Sequence, residues 1–201
     1  MTYSLEQIKG EISAGGGVAH ANLHRVILPV IPSIFLNLTG IDVATPQALN
    51  VLCKNVNMPG RQLLTSERTI GVVTQKVAYG EANEDVNLTF VGLNNYNVRK
   101  YFEDWMFYAM NPDTYEVRYK NEYSRNVTIQ QLDKFHRVVY SVTLEDAFPT
   151  QLLNIDFSDE NANPVDVGIT LSYTRWRRNN FVTDVISTEA QKFLEDFFLA
   201  G

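Results

Sequence analysis

Three segments alternate between apolar and small polar residues, and this pattern leaves the chain few folds to choose from. In DVNLTFVGL (85–93), Val86, Leu88 and Phe90 alternate with Asp85, Asn87 and Thr89. In FHRVVYSVTLED (135–146), Val138, Tyr140, Val142 and Leu144 alternate with Ser141, Thr143 and Glu145. In VDVGITLSYTRW (165–176), Val167, Ile169, Leu171 and Tyr173 alternate with Thr170, Ser172 and Thr174. A period of two sends successive side chains to opposite faces of an extended strand. Each segment therefore reads as a strand with one face in a core and one in water, as in antiparallel sheets. The wet faces carry more Ser, Thr and Asn than Lys and Glu. That composition fits a plain solvated face, and it also fits a water-filled passage for a polyanion.

The remaining elements complete a mainly β reading of α+β type. NLHRVILPV (22–30), residues 49–55 and RNVTIQQLD (125–133) read as further strands. Between them lies VNMPGRQLLTSERTIGVVTQKVAYG (56–80), a polar and β-branched ribbon that carries no catalytic motif. Residues 66–93 read as one extended hairpin, with the turn in GEANED (80–85). SLEQIKGEISA (4–14) puts Leu5, Ile8 and Ile12 at helical spacing, with Ser4 as N-cap and glycines 15–17 as terminator. NYNVRKYFEDWMFYAM (95–110) is the strongest helix, capped by Asn94 or Asn95 and stopped by Pro112. Its face of Val98, Tyr101, Phe102, Trp105, Met106 and Ala109 should pin it to the outside of the sheet, with Phe102, Trp105 and Met106 as the packing core. TYEVRYKNEYSR (114–125) reads as a loop or short edge strand, and Thr188–Leu199, capped by Ser187, as a last helix. The expected whole is one domain over 1–201, an antiparallel β-sandwich or barrel with a long hairpin, one helix packed on its flank and short terminal helices.

Composition narrows the function classes. The formal net charge is −6, which disfavours tight wrapping of nucleic acid. One cysteine, Cys53, permits no intrachain disulfide and fits a reducing compartment. Cys53 itself reads as a small core residue. The N-terminus lacks the apolar core of a signal peptide, so the glycosylation matches at Asn37, Asn87 and Asn126 read as chance. VILPVIPSIFLNL (26–38) is too short and too proline-rich to span a membrane, and no membrane insertion is expected. Neither a phosphate-binding loop nor a nucleophile elbow nor a CxxC pair is present, and an enzyme is the least favoured class. His20 and His24 stand four apart, but in a coil-to-strand segment where that spacing does not make a metal pair. His136 reads as structural or surface. No cofactor or metal is expected. The acidic groups Glu81, Glu84, Asp85 and Asp156, Asp159, Glu160 fall in turns, either solvated or lining an opening. TRWRRNN (174–180) is the one basic cluster; it reads as a salt-bridging subunit contact, with a solvated edge or base stacking as alternatives.

Five stretches in order resemble the tail tube proteins of contractile-tailed bacteriophages (myoviruses). They are ISAGGGVAHANLHRVILP, VLCKNVNMPG, QKVAYGEANEDVNLTFVGLNN, VRKYFEDWM and LEDAFPTQLLNIDFSDENANPVDVGITLSYTRW, together covering roughly residues 12–177. Against that pattern residues 31–48 look like an insertion and residues 178–201 like a C-terminal extension. The resemblance implies hexameric rings whose strands join into an inner barrel, and whose long hairpin and neighbouring loops contact the next ring. The ribbon would then be an assembly element whose edges other copies satisfy.

The resemblance also implies a structural role: a conduit for DNA during ejection into the host, in which DNA passes without specific binding. The partners implied are further copies of the chain and the sheath, baseplate and tail terminator proteins. The place implied is the virion tail, assembled in the host cytoplasm. Candidate lumen-lining residues are Asn87, Thr89, Ser141, Thr143, Thr170 and Ser172. Candidate inter-subunit contacts are the ribbon 58–80, with Arg61, Arg68 and Lys76, and the cluster Arg175, Arg177 and Arg178. The alternatives are a baseplate tube initiator or adaptor of the same fold, the tube of a bacterial contractile injection system, and, outside this class, a β-barrel that binds a small ligand.

Overall fold

The computed structural model describes residues 4–14, 17–31, 49–155, 157 and 164–179. The insertion expected at 31–48, the second acidic group and the C-terminal helix lie, but for Ile31, outside the described residues, and so does nearly all of the C-terminal extension.

Among the described residues nine strands form, all of them paired antiparallel: β1 (His24–Ile27), β2 (Cys53–Val56), β3 (Gln62–Ile70), β4 (Val73–Ala82), β5 (Val86–Val91), β6 (Arg125–Leu132), β7 (Val138–Leu152), β8 (Asp166–Ser172) and β9 (Arg175–Arg178). Seven make one sheet in the order β1-β6-β7-β8-β5-β2, with β9 beside β7. The organiser is β7, which has 15 residues. One edge of its first two-thirds pairs with β6, while its other edge takes β9 at Val142–Glu145 and then β8 at Phe148–Leu152. β8 and β9 are thus one long partner of β7, interrupted at Tyr173 and Thr174.

Both ladders bend at the same place. Asp146 has φ 53°, the register slips between Pro149 and Gln151, and Thr174 N–H bonds to Glu145 O at 3.0 Å. A strand that turns a corner through such irregularities carries the sheet from one layer to the next. The sheet curls until its outer strands β1 and β2 approach. No ladder joins them among the described residues, although Leu28 N–H donates to Asn50 Oδ1 at 2.9 Å, so the curl stops short of a closed barrel.

The alternating strands behave as their period requires. Val86, Leu88 and Phe90 of β5, Val127 and Ile129 of β6, Val142 and Leu144 of β7, and Val167, Ile169 and Leu171 of β8 share one buried cluster. Helix α2 (Asn97–Ala109) closes that cluster against β7 and β8. Phe102 and Trp105 are 0% exposed, and their rings stack at 6.2 Å. Tyr101 meets Phe102 edge-on at 5.1 Å, and Met106 sits half-buried at the margin. The polar tips of these aromatics are satisfied: Trp105 Nε1 donates to Tyr123 O at 2.8 Å and Tyr101 Oη to Pro29 O at 2.6 Å.

Several local expectations change. The cap of α2 is Tyr96, in the left-handed region at φ 52°, and Asn95 instead takes the Asn97 N–H on its Oδ1 at 3.3 Å. Leu49 and Asn50 are helical and Val51 and Leu52 form a turn, so β2 starts only at Cys53. Lys120–Tyr123 is a short helix, α3, where a loop or edge strand was expected. His136 stands in the β6–β7 turn at φ 59° and not at the head of a strand. Helix α1 (Leu5–Ala14) is capped as expected: Ser4 Oγ accepts from Gln7 N–H and Gln7 Oε1 from Ser4 N–H, at 3.3 and 3.0 Å.

Candidate assembly surfaces

The hairpin is the main correction. Its arms are β3 and β4, paired from Gln62–Ala82 to Ile70–Val73, and its turn is Gly71–Val72. Gly71 has φ 65°, and glycine in the first position of a two-residue loop is the preference of a type II′ hairpin turn. β5 is no part of this hairpin; it lies inside the main sheet between β8 and β2. The glycine and acidic residues of GEANED mimic a reversal, but Gly80–Ala82 continue β4, and the loop after it is Asn83–Asp85.

The ribbon forms a separate two-stranded sheet, with both outer edges unpaired among the described residues and nearly every described side chain exposed. Leu63, Val72, Val73, Val77 and Tyr79 are all open to solvent, Val72 completely. Lys76 stands opposite Glu67, and Arg68 opposite Gln75. An isolated two-stranded ribbon is at best marginally stable in water, and a free edge invites another strand.

The second surface is the polar side of the curled sheet. Residues paired across strands share a face, so Asn87 with Thr170, and Thr128 with Thr143, lie together. Their side chains bond across the strands: Thr170 Oγ1 donates to Asn87 Oδ1 at 2.9 Å, and the Thr128 and Thr143 hydroxyls lie 3.1 Å apart. Thr89 and Ser172 flank these pairs on the same side. Ser141 differs from the other candidates. It is 0% exposed, because Asn179 lies across it and donates from Nδ2 to Ser141 Oγ and Thr143 Oγ1 at 3.2 and 2.9 Å. It therefore presents no surface to a lumen, and Asn179, which alternation alone could not place, stands there instead.

Cations also reach this face. Arg175 pairs in register with Glu145, and Arg177 with Thr143. Both guanidiniums bond to Glu145, Arg177 at 2.8 Å, so their charges are partly neutralised within the chain. Arg178 ends β9 opposite Val142. Lys54 pairs with Asp166 at 2.7 Å. Arg61 lies at the root of the ribbon, 3.0 Å from Glu81 and over the Trp176 ring at 4.7 Å.

Nothing assembles into a reaction centre among the described residues. His24 Nδ1 lies 3.1 Å from Ala21 O, and its buried Nε2 has no hydrogen-bond partner among the described residues. It faces a groove of about 440 Å³ between β1 and β2, lined also by Lys54, Asn55 and Met58. Burial pushes the Cys53 thiol up to about 11, away from nucleophilic use. Among the described residues no group of three His, Cys, Asp or Glu side chains could hold a metal ion, and no helix is long and apolar enough to cross a membrane.

The family model described as "Phage tail tube protein" matches residues 19–179. No curated protein matches. Among solved structures, the chain resembles one in the extended sheath–tube complex of an extracellular contractile injection system. The TM-score is 0.58 at 16% identity, over 89% of this chain and 99% of that one. It also resembles a chain of the anti-feeding prophage baseplate, at TM-score 0.53 and 18% identity over 82% of this chain and 95% of that one. A third likeness is to a chain of the tube-terminating cap of the same particle, at TM-score 0.58 and 14% identity over 81% and 91%.

Proposed function

Because the chain belongs to the phage tail tube protein family, we propose that it is a ring-forming tube subunit, in which hexamers stack into a hollow conduit through which DNA leaves the particle. The role is structural and not enzymatic. The observation that carries the proposal is the β3–β4 ribbon, with its two unpaired edges and row of exposed apolar side chains. Such a ribbon gains its stability from another copy. A heterologous contact that closes by rotation makes a ring, and its repetition along the axis makes a tube.

In this reading the polar face turns inward, and Asn87, Thr89, Thr143, Thr170 and Ser172 line the lumen. DNA holds to protein chiefly through phosphate contacts with Lys and Arg that release counterions. A lining of hydroxyls and amides, with Arg175 and Arg177 tied to Glu145, gives the backbone little to hold. Sheath, baseplate and terminator proteins are the other partners, and the tail of the virion is the place of action.

A second reading is favoured by the fold shared with sheath–tube, baseplate and cap chains of contractile injection particles. There the chain is a tube or baseplate-adaptor subunit of a particle that delivers something other than a genome. Gene neighbourhood separates the two readings. Assembly is tested by negative-stain microscopy across a concentration series, with mass from light scattering. Rings or tubes are expected. A monodisperse monomer at every concentration, still monomeric when the adjoining baseplate proteins are supplied, would refute the proposal.

A further inference from the structure

Among the described residues the ribbon shows no face buried against the sheet, so its root is what sets its direction. The chain enters that root through Asn57–Gly60 and leaves through Asn83–Asp85. Trp176 of β9 reaches it across 116 residues of sequence, donating from Nε1 to Gly60 O at 3.1 Å. Trp176 lies in register with Leu144 and packs, partly buried, against the edge of the core. Its ring also carries the Arg61 guanidinium at 4.7 Å, and Arg61 Nε reaches Glu81 Oε1 on the departing arm at 3.0 Å. Asn83, just beyond that arm, donates from Nδ2 to Thr174 O at 3.3 Å. Both arms are therefore tied to the corner where β8 becomes β9.

We infer that Trp176 and Arg61 form a latch that fixes the angle at which the ribbon leaves the sheet, and that they are positioning residues for assembly. The inference rests on the proposed reading of the ribbon as an assembly element. The reason for a latch is leverage. β4 has 10 residues. At ~3.3 Å per residue such an arm is about 33 Å long, and about 10° of swing at the root moves its tip about 6 Å, more than one strand spacing. A ribbon without a latch would miss its register on a neighbour. Arginine suits the position because its broad guanidinium lies over the indole while its Nε pairs with the Glu81 carboxylate; lysine's single ammonium does only one of these at a time. Arg61 is thereby engaged within its own chain, and the recognition of a neighbour is left to the exposed side chains beyond it.

The test uses the full chain at a dilution that keeps it unassembled, with Cys53→Ser and spin labels at Gln75→Cys on the ribbon and Val139→Cys on β7. The expected result is a narrow label–label distance distribution that becomes roughly twofold broader in Arg61→Lys and in Trp176→Leu, as loss of a local tether requires. Arg61→Lys keeps the charge on a surface residue and leaves the fold intact, so its result stands even if Trp176→Leu unfolds. An unchanged width in Arg61→Lys would overturn the latch. A broader width with undiminished ring yield in micrographs would overturn its role in positioning. Absence of rings from the unsubstituted chain together with the baseplate proteins would instead sink the assembly reading, and the same micrographs distinguish that failure.

Discussion

Trp105 shows how much one side chain carries. It is fully buried, stacks with Phe102, and satisfies Tyr123 O through its indole N–H. Trp105→Ala should lower unfolding free energy by about 3–5 kcal/mol in a denaturant titration, because the cavity adds to the lost transfer energy. Asp133 is a second residue with a definite expectation. It accepts from Arg137 N–H, from the Arg137 guanidinium and from Phe135 N–H, and these bonds hold its carboxyl below the usual range. A carboxyl lowered in this way stabilises the fold above its unfolded value and loses that contribution as the pH falls through its folded midpoint. NMR titration should place the midpoint below that of an ordinary aspartate. Asp133→Asn should remove this acid dependence from the β6–β7 turn. The sequence showed Trp105 as part of a helical stripe. It could not show Asp133, whose role depends on a turn with His136 at φ 59°.

At the scale of the element, the ribbon and the sheet are separable. Replacing Ser66–Val77 by Asn-Gly between Thr65 and Ala78 keeps the register of the root and supplies a two-residue hairpin turn. The shortened chain should melt within about 4 °C of the parent, since Ser66–Thr69 and Gly71–Val77 are all exposed. It should form no tubes. Unaltered tubes in micrographs would show that the ribbon has no part in assembly. The ribbon was legible as a β segment without chemistry, but its turn was misplaced, because acidic residues and a glycine mark reversals and exposed strand ends alike. Gly71 was the better signal: it stands in a run of β-branched residues, and only a tight turn explains a glycine there.

At the scale of the whole molecule, the proposed lumen predicts a charge effect. Thr170 and Asn87 lie side by side on the polar face. Thr170→Lys with Asn87→Lys would add two cations per subunit to a surface whose other charges are largely paired. Assembled tubes of this variant should retain a fluorescent single-stranded oligonucleotide at low salt and release it as salt rises, since bound phosphates give back their counterions. Tubes of the parent should retain little at any salt. Equal retention by both would show that this face is covered in the assembly and does not line an open lumen.

Alternation by itself determined the core. Val86, Leu88, Phe90, Val142, Leu144, Val167, Ile169 and Leu171 are buried because a strand has only two faces and the apolar one leaves water. Helical spacing likewise determined that Phe102 and Trp105 face that core. Tertiary structure alone decided which strands are neighbours, where β7 turns its corner at Asp146, and that Trp176 holds Arg61 at the root of the ribbon. It also buried Ser141, a residue of the polar face, by laying Asn179 across it. The division has one physical cause. Periodicity is a property of a few consecutive residues, whereas pairing, bends and latches join residues far apart, such as Gly60 and Trp176, and no local pattern carries the position of the partner.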